Sequence, residues 1–124
     1  MMPLCLSAGA VATVLAVESF TLAWTHSIEK VRWEEDYVLD GNRLRLVEAR
    51  IRGTGAGMEP PADAVLKDGV WHYRPGLPPQ TQLRLARSPY TAGYQLCTKG
   101  HCQPLAELLP GAENPSTIVV EACP

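Results

Sequence analysis

The stretch from Phe20 to Arg52 constrains this chain most, because its apolar and polar residues alternate with a period of two. That is the period of a β-strand, whose successive side chains point to opposite faces. Phe20, Leu22, Trp24 and His26 share one side of a first strand, and Trp33, Glu35, Tyr37 and Leu39 share one side of a second. Asp40-Gly41 then reads as a two-residue hairpin turn leading into a third strand. With that turn Leu39 is expected opposite Asn42, Tyr37 opposite Leu44, Asp36 opposite Arg45, Glu35 opposite Leu46 and Trp33 opposite Glu48. Asp36 and Arg45 would form a cross-strand charge pair on the polar face. A four-residue loop, Ile28 to Val31, would set His26 against Trp33, Trp24 against Glu35 and Leu22 against Tyr37.

That register gathers His26, Glu35 and Glu48 around Trp24 and Trp33. Histidine titrates near neutrality and carboxylates are seldom buried without partners, so this trio is the constellation that could carry chemistry. The plain alternative is that Trp24, Trp33 and Tyr37 are core and that His26 forms a structural ion pair with Glu35 or Glu48. One nitrogen and two carboxylates would also suit a first-row divalent metal or another small ligand, although no resident cofactor or metal is assigned. Catalysis is not expected. Adjacent His26 and Ser27 face opposite sides of a regular strand and cannot form a nucleophile and base pair. Glycosidase-type chemistry on paired carboxylates would need a cleft, which nothing in so small a domain suggests.

Length and composition set the frame around this stretch. Residues 1–124 are expected to form a single β domain, and a chain with 46% hydrophobic residues has enough apolar surface for one core. The formal charge of -2, with no basic stripe interleaved with aromatics, argues against a nucleic-acid partner. Glu18, Glu29, Glu34, Glu35, Asp36 and Asp40 are followed by Arg43, Arg45, Arg50 and Arg52, which the hairpin would bring together as a solvated, self-neutralising sheet face. Four cysteines allow three connectivities. Cys97 with Cys102 across a hairpin end, and Cys5 with Cys123 between terminal strands, is the favoured pairing, and it implies an oxidising compartment. The competing reading is a metal site on Cys97, His101 and Cys102, for which no second ligand pair has zinc-type spacing.

The remaining chain reads as further short strands. Met1 to Val17 lacks a basic leader region and is shorter than the run of about 20 residues that spans a bilayer. It reads instead as a hairpin, Leu4 to Ser7 and Val11 to Val17 around Ala8-Gly9, although a remnant targeting segment is the alternative. Gly53 to Met58 fits neither a phosphate-binding nor a dinucleotide fingerprint and reads as a connection. Asp68-Gly69 should close a second tight hairpin, with Trp71 and Tyr73 on one face and His72 on the other, at the surface. Thr81 to Ala86, Gly93 to Cys97, the residues after Cys102 and Thr117 to Ala122 complete nine or ten expected strands, with one helical turn from Pro104 to Leu109. The expected fold is all-β, a single-domain antiparallel β-sandwich or partly closed barrel.

Several strings, taken together, carry a resemblance over most of the chain. They are Thr25-His26-Ser27-Ile28-Glu29-Lys30, Glu34-Glu35 with Tyr37, Leu46-Val47-Glu48, Gly55-Ala56-Gly57 and Pro104-Leu105-Ala106-Glu107-Leu108-Leu109-Pro110-Gly111. In these the chain resembles the small bacterial proteins grouped as domain of unknown function 1850. The resemblance implies an extracytoplasmic or periplasmic accessory module, often encoded beside permeases of TAXI-type TRAP transporters. Its partners would be a transporter permease or solute-binding component, and membrane association would come through that partner or through an N-terminal segment. The contact is expected near His26, Ser27, Glu29, Glu35, Glu48, Trp24 and Trp33. The four cysteines and the want of an obvious export segment set this chain apart from the family pattern.

Overall fold

In the computed structural model the described residues are 3–25, 31–52, 62–86, 93–112 and 117–124. Alternation and turn chemistry cut them into short strands: β1 (Leu4–Ala8), β2 (Val11–Leu15), β3 (Ser19–Thr25), β4 (Arg32–Asp40), β5 (Arg43–Arg52), β6 (Val65–Lys67), β7 (Val70–Tyr73), β8 (Gln82–Leu85), β9 (Gln95–Thr98), β10 (His101–Pro104) and β11 (Ile118–Ala122). The expected helical turn is a 3-10 helix, Leu105–Leu108, which Pro104 precedes rather than begins. All pairings among these strands are antiparallel, and they build a four-stranded sheet, β2-β1-β11-β8, and a seven-stranded sheet, β10-β9-β3-β4-β5-β7-β6. The architecture is that of a sandwich and not of a closed barrel.

The turns show which hairpins local chemistry places correctly. Asp68 and Gly69 both adopt positive φ, at 51° and 78°, as a type I′ turn requires, and Lys67 faces Val70 as expected. At Gly41 the chain departs from the expectation. Asp40 faces Arg43, so the two loop residues are Gly41 and Asn42, with Gly41 at φ 63° in the first loop position. That is the glycine placement of a type II′ turn, so Asp40-Gly41 is not the turn pair.

The hydrophobic core lies between the sheets. Leu4, Leu6 and Ala8 of β1, Leu83 of β8 and Ile118 and Val120 of β11 pack against Phe20, Leu22, Tyr37, Leu44 and Leu96, with Leu105 and Leu109 closing one side. Leu4, Leu44 and Val120 are wholly buried, each such side chain contributing about 1.5–3 kcal/mol. The terminal run read as a hairpin is thus a full partner in the core. Disulfides join Cys5 to Cys123 and Cys97 to Cys102, the pairing favoured from the sequence. With both thiols of the second pair in a disulfide, a metal site on Cys97, His101 and Cys102 loses two of its ligands. Trp24 and Tyr94 pack on the margin of the core, and Trp33, Ile51, Trp71 and Tyr73 continue the same sheet face beyond it.

Candidate functional site

The registers of β3, β4 and β5 decide which side chains meet. Trp24 faces Trp33, Leu22 faces Glu35 and Phe20 faces Tyr37, two residues away from the expected pairing. A slip of two preserves the faces. It also sets aromatic rings directly opposite one another: Trp24 and Trp33 stack with centroids 6.1 Å apart, and Phe20 and Tyr37 at 5.3 Å. Between β4 and β5 the ladder runs Leu39 to Leu44, Val38 to Arg45 and Tyr37 to Leu46, then shifts, so that Asp36 faces Glu48 and Glu35 faces Ala49. Val47 is the additional residue of a β-bulge, and one additional residue inverts the face of everything after it.

Of the expected trio, Glu35 and Glu48 therefore do not share a face. Glu35 lies on the inner, aromatic face, whereas Glu48 lies on the outer face beside Asp36. Arg45 meets Asp40 at 3.6 Å instead of Asp36. His26, Ser27 and Glu29 fall outside the described residues, as do Gly53 to Met58.

On the outer face the bulge creates a network centred on Arg50. Its Nη1 donates to Asp36 Oδ2 at 2.6 Å and to Glu48 Oε2 at 2.7 Å, its Nη2 to Asp36 Oδ1 at 2.6 Å and its Nε to Glu34 Oε1 at 3.1 Å. Arg32 Nε reaches Glu34 Oε2 at 3.0 Å, and Thr21 Oγ1 donates to Asp36 Oδ1 at 2.6 Å. His72 Nδ1 stands 3.3 Å from Glu48 Oε1, so this histidine joins the network rather than standing alone at the surface. Burial, the largest single influence, pushes the Glu34 and Asp36 carboxyls up, but the hydrogen bonds they accept and the positive charge around them together outweigh it and hold both below the ordinary carboxylate range. The Asp36 bond raises Arg50 further against its own burial. Glu34 is 7% exposed, so this face is a satisfied, partly covered ion network and not the freely solvated face expected. A hollow of about 310 Å³ beside it is lined by Thr21, Asp36, Val47, Cys97 and Lys99 among others.

The inner face is chemically different. Glu35 is half-buried, burial pushes its carboxyl up, and the hydrogen bond donated by Tyr37 Oη at 3.0 Å only partly offsets this. Tyr73, two strands away in the same row, and Tyr94 both feel its charge, which adds to burial in raising their hydroxyls. Tyr94 lies 5.4 Å from Trp24 in a tilted arrangement. Trp33 and Trp71 flank Ile51, and the indole Nε1 of each is buried without a hydrogen-bond partner among the described residues. One carboxylate, three tyrosines and three tryptophans thus occupy one end of one sheet face.

The profile of domain of unknown function 1850 matches residues 20–105, which spans β3 through β10 and takes in both faces just described. The chain belongs to this family. No curated protein and no solved structure matches it. In this member of domain of unknown function 1850, the strings Glu34-Glu35 with Tyr37 and Leu46-Val47-Glu48 have separate structural roles. The first places one carboxylate on each sheet face, and the second builds the bulge. Sequence reasoning missed Arg50 as a hub, and it missed Tyr73, Tyr94 and Trp71 as neighbours of the candidate site. The shared face of Trp71 and Tyr73 was legible, but only the pairing of β7 with β5 brings that face beside Glu35.

Proposed function

We propose that this chain is a non-catalytic binding module that works outside the cytoplasmic membrane as an accessory of a TAXI-type TRAP solute transport system, meeting a permease or solute-binding component. Membership of domain of unknown function 1850 supports the transport association through the resemblance described above. Two disulfides support an oxidising compartment. No helix among the described residues is long and apolar enough to cross a membrane, so membrane association would come from a partner or from another segment. The observation that carries the binding role is the concentration of Trp24, Trp33, Trp71, Tyr73 and Tyr94 about the half-buried Glu35. Aromatic anchors with a few polar groups are the usual makeup of a recognition surface. A divalent-metal site on His26, Glu35 and Glu48 is the weaker reading, because the bulge puts the two carboxylates on opposite faces of the sheet. The same separation keeps them from flanking a single scissile bond.

A pull-down from source membranes tests this reading. The wild-type chain should retain a TRAP permease or solute-binding component, and a Trp33→Ala, Trp71→Ala variant shown to be folded should not. Equal retention would move the contact away from the aromatic face, and retention of no transport component by either would remove the accessory role.

A further inference from the structure

We propose that the aromatic end of the inner face binds the ammonium group of a small organic ligand, with Glu35 as its counter-charge and Trp24, Trp33, Trp71, Tyr73 and Tyr94 as its π surface. This rests on the binding-module reading and names the ligand class that the module would take. Glu35 sits in an apolar and aromatic setting. Leu22 and Ala49 flank it across the strands, Trp33 and Tyr37 lie two residues to either side on its own strand, and Tyr73 and Tyr94 approach from β7 and from just before β9. Every one of these is neutral, and among the described residues the only hydrogen bond to Glu35 comes from Tyr37. A carboxylate raised by burial in such company gains from a cation brought to it.

The surroundings decide which cation. A hard metal ion needs several oxygen or nitrogen ligands, and among the described residues no group of three or more His, Cys, Asp or Glu side chains could hold one. An organic ammonium group instead takes its stabilisation from the faces of tryptophan and tyrosine, the strongest of these being tryptophan. An anionic ligand would be repelled by Glu35, and a neutral one would leave the carboxylate uncompensated. The ligand class is therefore a small molecule with an ammonium centre.

The test is a tryptophan-fluorescence titration of the purified chain at neutral pH with choline, with its uncharged isostere 3,3-dimethylbutan-1-ol and with succinate. Choline should quench saturably, and the isostere should bind roughly tenfold more weakly or worse, the scale of a desolvated cation–π contact. Glu35→Gln should weaken choline by at least roughly the same factor and leave the isostere unchanged. On the wild type, choline affinity should fall as the pH is lowered and Glu35 takes up a proton, while the isostere stays flat. The neighbouring tyrosines remain protonated throughout that range. Equal binding of choline and its isostere, an unaffected Glu35→Gln variant, or no saturable choline binding would each overturn the proposal. If succinate or the isostere binds and choline does not, the cation assignment falls while the binding-module reading stands. If none of the three binds but the membrane pull-down succeeds, the ammonium site is refuted and the accessory role survives.

Discussion

Asp36 and Glu48 face each other directly across β4 and β5, and one guanidinium, that of Arg50, bonds both at 2.6 and 2.7 Å. Like charges directly opposite on neighbouring strands are destabilising, so the pairing depends on that third side chain.

Arg50→Met should therefore be the most damaging single change on the outer face. It leaves Glu34, Asp36 and Glu48 without their shared partner, and Glu34 is nearly buried. The expected cost is about 3 kcal/mol, at the lower end for a broken buried ion pair because Asp36 and Glu48 are about one-third exposed. Urea denaturation at neutral pH measures it. Arg50→Lys should recover only part of the loss, since an ammonium cannot reproduce the two-pronged bond to Asp36.

Acid should act through the same residues. Glu34 and Asp36 have folded-state pKa values below their unfolded ones. Their contribution is present in full above the ordinary carboxylate range, near pH ~4, and is lost as the pH falls through the depressed folded values. The melting temperature of the wild type should decline below that point. The Arg50→Met variant should show a shallower decline, and parallel curves for the two proteins would remove the network as its cause.

Glu35 has the opposite sign. Its folded pKa is raised, so the fold favours its protonated form, and that contribution is present at acid pH and lost as the pH rises through the folded value. Glu35→Gln should consequently raise the melting temperature at neutral pH, with the gain vanishing below pH ~4. A gain in stability on losing Glu35 would mark it as a residue kept for something other than the fold.

The two disulfides should differ in value. Cys5 and Cys123 are 118 residues apart, and loop-closure entropy puts their link at about 4–5 kcal/mol. Cys97 and Cys102 are 5 apart, for which the same model gives about 2 kcal/mol. Paired Cys→Ser variants compared by urea denaturation should reproduce this order, and an inverted order would show that strain or residual structure outweighs chain entropy.

Much of the fold is legible in short-range pattern. Alternation in Phe20-Thr21-Leu22-Ala23-Trp24 marks β3, and Asp68-Gly69 marks the β6–β7 turn by the φ angles it must adopt. The placement of Cys5 in the first strand and Cys123 just past the last favours their link. The candidate site is less legible, because its membership depends on parity across a ladder. The turn at Gly41 and the loop after Thr25 each shift the register by two, which leaves every side chain on its expected face. The bulge at Val47 shifts it by one more, and that alone separates Glu48 from Glu35.

By itself, then, the sequence determined the strand class, the Asp68-Gly69 turn and the identity of one aromatic face, which follow from residues within a few positions of one another, and it favoured the cysteine pairing that forms. Only the tertiary structure decided which carboxylate belongs to which face, that Arg50 joins three acids, that Tyr73 and Tyr94 come near Glu35, and that Trp71 joins the row of Trp33 on the same face. The physical reason is that a bulge costs little locally yet inverts the face of every residue beyond it, so that packing over the whole sheet, rather than any local preference, selects where it falls.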